Sequence, residues 1–405
     1  MKIVYIIGTY PRLTTTFIDR EIYSLEKLGA EIKIVSIRRP DAALSRDQIQ
    51  LINRIQYLLP ANIASLLLGH IRYAFGQPKK FFGTLYYLLS CPHPSVSSRI
   101  KTLMHFGEGV YAAYQLRKVQ FDHVHAHFMD RVAVIALIIS RLLDVPYSLT
   151  AHAGDIYVDP ILLPEKMAGA KFITTCTGYN KSHLEQFGEN IFNHKLFCIY
   201  HTLSVNEYQG YEFRSNDQSI ILSVGQLKER KGFNYLLNAC RLLVDRGYSF
   251  ICQIVGDGPQ KEYLDAQVKL LSLEDHVQLC GALPHQEVIE KYQQASLFVL
   301  PAILASDGDR DGIPNVILEA MAMELPIVST DHSAIPEVVE HGVNGLLVPP
   351  ADEIALADAL EEIIENPRYG RELGSRGRDI VVEKFDPITN SKQLLDRFTA
   401  QHYPT

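Results

Sequence analysis

Along this chain, short runs of aliphatic and β-branched residues alternate with longer stretches in which apolar residues recur every three or four positions. The runs at 2–7, 31–37, 121–127, 147–152, 171–177 and 196–200 are apolar enough to be strands covered on both faces. Between the first two lies 16–28, where Thr16 followed three residues later by Asp19 reads as a helix start and Gly29 as its stop. Strand, helix, strand in succession predicts a parallel sheet. A polar stretch without periodicity, 208–217, interrupts the pattern. It then resumes with strands at 220–225, 250–255, 277–279, 297–300 and 326–330 and helices at 232–246 and 314–323. The chain has 405 residues, more than one hydrophobic core usually serves, so two doubly wound α/β domains are expected. The expected boundaries are 1–205 and 206–385, with 386–405 a C-terminal helix returning to the first domain. Neither a short-period repeat nor a low-complexity tract is visible.

The composition, 47% hydrophobic and 21% charged, excludes a disordered, collagen-like or polytopic membrane chain. A net charge of −7 gives no reason to expect nucleic acid. That total hides an asymmetry: residues 1–200 hold 22 basic and 15 acidic side chains, whereas 201–405 hold 17 and 31. The two halves therefore have different electrostatic tasks. Six cysteines without a CxxC pair are too few for a disulfide scaffold and fit reduced thiols. The apolar start is only a few residues long before Gly8 and Pro11, which suits a strand and not a secretion signal. A cytoplasmic protein is expected.

One segment departs from this pattern. Residues 48–107 contain no aspartate or glutamate, yet they carry Arg54, Arg72, Lys79, Lys80, Arg99 and Lys101. Ile63, Leu66, Leu67 and Ile71 fall at helical spacing, so a basic and apolar helical insertion is expected. Its uncharged runs are shorter than the ~20 residues a membrane span needs and contain prolines. Two readings stand side by side: a peripheral contact with an anionic membrane, or a helical insertion packed on its own domain.

In open parallel sheets, ligands lie beyond the carboxyl ends of the strands. The chemically distinctive residues cluster at such ends: Gly8 with Thr9, His125 with His127, and His152 with Asp155 in the first half; 225–232, 256–259 and 301–315 in the second. Gly312 bares backbone, and Pro314 suits the first position of a helix, so the amides of Gly312, Ile313 and Asn315 are expected to face an anion. Glu319 lies a turn and a half further on, about the step from a diphosphate to its ribose at ~1.5 Å per residue. Asp311 stands at the helix mouth, where it could hold hydroxyls. Lys228, Arg230 and Lys231 end a strand and open a helix, a phosphate clamp without a Walker lysine. Neither G-x-x-x-x-G-K-[ST] nor G-x-G-x-x-G occurs.

Taken in order, seven motifs (8–18, 124–128, 151–155, 225–232, 255–259, 312–322 and 342–349) resemble the retaining, metal-independent glycosyltransferases of family 4, with their two-domain GT-B fold and interdomain cleft. The details at 307–314 and 332–337 look like the subgroup that builds colanic acid and related exopolysaccharides. The resemblance implies transfer of a hexose from a UDP- or GDP-sugar to a hydroxyl of a lipid-linked saccharide, without a cofactor or metal and with no nucleic-acid partner. It makes Asp311 and Glu319 the two acidic positions of an E-x7-E motif, the first near the donor sugar and the second on the ribose. Lys231 would neutralise the leaving diphosphate. His127 would face the donor sugar, Gly8 and Thr9 would line the phosphate side, and Ala282 and Leu283 would meet the base. His152 and Asp155 are candidates for acceptor hydroxyls or for capping the segment that follows them.

Two departures from the family pattern stand out. Asp311 replaces the usual glutamate, which shortens its reach by a methylene. Gln226 stands in the donor-site position of a phosphate-binding arginine, so Arg230 or Lys228 is expected to supply the missing charge. A metal at His125 and His127 is disfavoured because no third ligand has metal spacing, and the formal D-x-D of Asp307 and Asp309 lies in a loop with three aspartates, where such a match arises easily. Two alternatives remain: a catalytically weak scaffold subunit of a membrane polysaccharide complex, and a sugar-nucleotide epimerase on the same fold.

Overall fold

The structure, a computed structural model, describes residues 1–12, 15–40, 44, 46–158, 160–189, 191–208 and 218–400. Most of the expected polar stretch, 209–217, and the last five residues lie outside that description. The chain forms two compact units: Met1–Thr202 together with the segment from Pro387, and Leu203–Asp386.

The first unit is built on a seven-stranded parallel sheet: β1 (Lys2–Thr9), β2 (Glu31–Arg38), β3 (Ile55–Tyr57), β4 (His123–His127), β5 (Tyr147–Ala151), β6 (Ile173–Thr175) and β7 (Leu196–Cys198). Their spatial order is β3-β2-β1-β4-β5-β6-β7. In register, Ile3 lies beside Ile32 and His123, and Tyr5 beside Ile34 and His125. The order reverses between β1 and β4, so the chain leaves these two neighbours toward opposite sides and opens a crevice at their carboxyl ends. The helix Arg131–Leu143, apolar almost throughout, is buried along nearly its whole length on one face of this sheet. Thr16–Lys27 covers the other face together with the C-terminal helix Pro387–Thr399. Phe398 of that last helix sets its ring against Phe172, His123 and His125 at 5.1–5.2 Å between centroids. Because Phe398 is 1% exposed, it anchors the terminal helix in the first unit's core.

The expected insertion at 48–107 is only partly helical. Ile55–Tyr57 pairs with β2 and extends the sheet; three residues with one buried side chain are too short to show a period. The helices Ile63–Gly76, Pro78–Ser90 and Val96–Leu116 follow. Asn62 and Ser95 accept the first-turn amides of Ser65 and Ser98, and proline opens the middle helix, where its missing N–H is harmless. Among the described residues, no helix is long and apolar enough to cross a membrane.

The second unit holds six parallel strands: β8 (Ser219–Val224), β9 (Phe250–Val255), β10 (Val277–Gly281), β11 (Leu297–Leu300), β12 (Ile327–Thr330) and β13 (Leu346–Val348). The order β10-β9-β8-β11-β12-β13 again reverses, here between β8 and β11. Two glycines at this edge have no substitute. A Cβ on Gly256 (φ 147°) would stand 1.9 Å from the Gly225 carbonyl oxygen, and one on Gly232 (φ 67°) would stand 1.9 Å from that of Pro301.

Replacing Phe398 with alanine should destabilise the first unit by about 3 kcal/mol, measured by denaturant unfolding. An unchanged midpoint would show that the terminal helix is not held by this ring.

Candidate active site

In the second unit, the loop after β8 carries Gly225–Gly232 and the loop after β11 carries Pro301–Pro314, so the two strands at the reversal deliver both halves of the constellation. Lys231 folds back over Gly225, where an added Cβ would be 3.4 Å from the lysine Cε. Its ammonium lies 2.8 Å from Asp311 Oδ2, and Arg230 Nε lies 3.0 Å from Asp311 Oδ1. A second nitrogen of Arg230 pairs with Asp309. Lys231 is 9% and Asp311 13% exposed at the side chain, so this network is shielded enough for its charges to matter. Burial pushes the Asp311 carboxyl up, but the ammonium of Lys231 and the guanidinium of Arg230 hold it below the usual aspartate value. Arg230 is in turn held above its ordinary value by Asp311 and Asp309 against its own desolvation. Ser333 fixes the loop by donating to the Asp311 carbonyl at 2.6 Å.

The helix Asn315–Ala322 begins one residue later than its sequence suggests, with Pro314 as its cap and not its first residue. Pro314 has extended ψ (124°), which turns the chain from the Asp311 loop into the helix. The first-turn amides of any helix lack internal acceptors and carry its partial positive charge, and here they follow directly on Gly312 and Ile313. Glu319, half-buried, lies 3.1 Å from the hydroxyl of the fully buried Tyr292. Gln226 is exposed beside the Lys231 turn, and it enters none of the described ion pairs. Ala282 and Leu283 follow β10 at the sheet edge, two strands from β8.

In the first unit, Gly8 and Thr9 end β1, and the histidines of β4 all point to one face. His123, His125 and His127 are each 0% exposed. Ser148 Oγ is 2.8 Å from both His123 Nε2 and His125 Nδ1, while His125 Nε2 meets Thr150 Oγ1 at 2.9 Å. The His127 ring faces protein on both sides: Nε2 lies 2.9 Å from Glu21 Oε1, and Nδ1 is 3.5 Å from His152 Nε2. The Tyr5 hydroxyl donates to the same Glu21 oxygen at 2.7 Å. A carboxylate only accepts, so His127 carries its proton on Nε2. Burial pushes Glu21 up, but His127 and the hydrogen bond from Tyr5 hold it below the ordinary glutamate value.

His152 and Asp155 cap the short helix that follows β5. Asp155 accepts from the backbone of His152 (2.8 Å) and of Met129, and the buried Lys166 donates to the Met129 carbonyl. Met129 is thereby fixed through both its amide and its carbonyl, next to Phe128 in the left-handed region (φ 78°). Two trios bring potential metal-ligating atoms within 4.8 Å of one another, Glu21–His125–His127 and His152–Cys176–His201. In the first, the histidine nitrogens already bond to Ser148, Thr150 and Glu21.

Glu21, Tyr5, Lys166 and Tyr292 escaped the sequence reading. Glu21 did leave a signal: it interrupts an otherwise apolar stripe of Phe17, Ile18, Ile22 and Leu25 on its helix.

Residues 206–380 match the family model described as Glycosyl transferases group 1. The chain is 44% identical over 140 residues to the amylovoran biosynthesis glycosyltransferase AmsK of Erwinia amylovora, covering 35% of this chain and 34% of that one. It is 39% identical over 175 residues to the putative colanic acid biosynthesis glycosyltransferase WcaL of Salmonella typhimurium, covering 43% of each. The chain thus matches between a third and a half of the length of these relatives. Its fold is similar to that of Anabaena HepE, solved in complex with UDP: TM-score 0.71 at 17% identity, over 98% of this chain and 99% of that one.

The buried rings generate a prediction about acid. Burial pushes His123 down to about 3 and His201 to about 4, and it holds His125 and His152 well below 6.5. An unfolded chain protonates these rings below about pH 6.5, whereas the folded one resists until its own lower values are reached. Their contribution is therefore present at neutral pH and lost as pH falls from about 6.5 toward 4, roughly 2 kcal/mol per ring at pH 5. Asp155, raised to about 7 by burial, acts in the opposite sense, since its penalty is relieved as pH falls. Four rings outweigh one carboxyl, so the first unit should melt at lower temperature at pH 5 than at pH 7. His123→Gln should flatten that slope, and equal melting at both pH values would contradict the assignment.

Proposed function

We propose that the chain transfers a hexose, with retention, from a UDP- or GDP-sugar to a hydroxyl of a lipid-linked saccharide in the assembly of an exopolysaccharide; the match of residues 206–380 to the family model described as Glycosyl transferases group 1 supports this reading. The observation that carries this reading is the convergence of Lys231, Arg230 and the first turn of Asn315–Ala322 on one loop edge of the second unit, where cations and free amides suit a diphosphate. Glu319 is set a turn along the same helix and suits the ribose diol. Ala282 and Leu283, just after β10, meet the base through backbone in this reading.

In this reaction the bond between the sugar's anomeric carbon and the diphosphate oxygen breaks, and its electron pair leaves on the diphosphate. Lys231, Arg230 and the helix amides stabilise that charge where it develops. The acceptor oxygen bonds to the same face of the oxocarbenium-like sugar, and its proton passes to the departing phosphate. In this reading the stabilising charge comes from side chains and backbone. Asp311 is positioned to hold sugar hydroxyls once a phosphate has taken over its cations. His127, Gly8 and Thr9 lie at the carboxyl ends of β4 and β1 in the first unit, and the Asp155–Met129 bond holds that edge in shape.

The acceptor side of the proposal rests on the acid-free segment. Its three helices leave Ile63, Leu67, Ile71 and Phe75 exposed at helical spacing, with Tyr86 and Met104 on the neighbouring helices. Arg72, Lys79, Arg99 and Lys101 are exposed around them. A patch of this size on a soluble surface calls for a partner, and the surrounding positive charge favours an anionic bilayer, where a lipid-linked acceptor would be presented.

Lys231→Ala should lower turnover by roughly a hundredfold, as loss of a preorganised charge at a developing anion does, measured as UDP or GDP release. Activity equal to that of the unaltered chain would remove Lys231 from the reaction. Replacing Arg72, Lys79, Arg99 and Lys101 together with glutamine should abolish flotation with phosphatidylglycerol liposomes. Undiminished flotation would exclude this face as the docking surface.

A further inference from the structure

Arg230 is pulled two ways. One edge of its guanidinium holds Asp311, the carboxylate it shares with Lys231, and the other holds Asp309. Asp309 stands outside every role assigned above, and its side chain is 21% exposed. Its loop is nonetheless well fixed: the Asp309 amide donates to Asp307 Oδ1 at 2.9 Å, and its carbonyl accepts from the amide of Ala305 at 3.0 Å. Alongside, Glu229 accepts from both the amide and the hydroxyl of Ser306, tying the Arg230 turn to the same loop. The carboxylate is thus delivered to Arg230 by a built turn.

Planar guanidinium groups bind carboxylates and phosphates through the same paired N–H geometry, so the two anions compete for one surface. Gln226 supplies no charge here, and Arg230 shares Asp311 with Lys231, which puts its guanidinium beside the lysine ammonium as a cation for a diphosphate. We propose that Asp309 sets the donor affinity: its carboxylate occupies the Arg230 guanidinium in the unliganded protein and is displaced when the donor's diphosphate arrives. This rests on the reading of the second unit as the nucleotide-sugar site and adds to it a residue that weakens ground-state binding. Weak holding of the diphosphate also favours its release after transfer, since interactions that bind substrate and product equally well do not speed chemistry.

The experiment is calorimetric titration of UDP and of GDP into the full chain and into Asp309→Asn, Arg230→Ala and the double variant. Asparagine preserves the size and the loop bonds while removing the charge. Asp309→Asn should bind the preferred nucleotide about three- to tenfold more tightly at low salt, in keeping with the size of a partly exposed ion pair. That gain should vanish in the double variant, because the freed cation is gone. Binding to Asp309→Asn that is unchanged or weaker, with the melting temperature preserved, would overturn the proposal and leave the transferase reading standing. Should Asp309→Asn misfold, Asp309→Ser gives the same comparison. If the unaltered chain bound neither nucleotide, the reading of the second unit and this inference would fall together.

Discussion

One carboxylate joins the two cations on which the chemistry proposed for the second unit depends. Asp311 reaches Lys231 with one oxygen and Arg230 with the other. Without it, an ammonium and a guanidinium would stand side by side at the end of β8 with only Asp309, on the Arg230 side, to offset their repulsion. With it, the two side chains are held in place, and in the proposed reaction they exchange a carboxylate for a phosphate. Removing one member of such a shielded group typically costs 3–5 kcal/mol, because the partners stay buried with nothing to meet them. The constraint is also geometric. The loop after β11 must return close to the turn after β8, and that approach is possible only because Gly232 faces the Pro301 carbonyl without a side chain.

The two units use the same architectural device for different ends. Each parallel sheet reverses its order, between β1 and β4 in one and between β8 and β11 in the other, and each gathers its polar residues at that reversal. In the second unit they are charged and partly open, as suits an ionic ligand. In the first they are imidazole rings and hydroxyls buried under helices, with the Glu21 carboxylate bonded to His127. This network of rings and hydroxyls fixes the shape of the edge after His127, where Asp155 and Lys166 hold the backbone of Met129.

Much of this was legible in the chain. Alternating strands and helices announced two doubly wound domains, and the glycine, proline and charge pattern at 225–232 and 311–319 marked the two segments that the fold joins through Lys231, Arg230 and Asp311. What escaped was short or depended on distant partners. Strands β3 and β13 have three residues each; so have β6 and β7, which the longer apolar runs 171–177 and 196–200 nonetheless revealed. The role of His127 could not be read without Glu21, more than a hundred residues away in sequence, whose only local trace was a charge in an apolar stripe. Asp155 read equally well as a hydroxyl ligand or a cap, and only the positions of the Met129 and His152 amides put its oxygens on backbone. Likewise Asp311 was visible as an acid at a helix mouth, but its bridging of two cations required the fold.

The most direct measurement is hydrogen–deuterium exchange of the full chain with and without UDP or GDP. If the diphosphate is gripped where the structure gathers its cations and first-turn amides, exchange slows at 225–232 and 311–319 together. Slowing at only one of these segments, or elsewhere in the chain with both unchanged, would contradict the account.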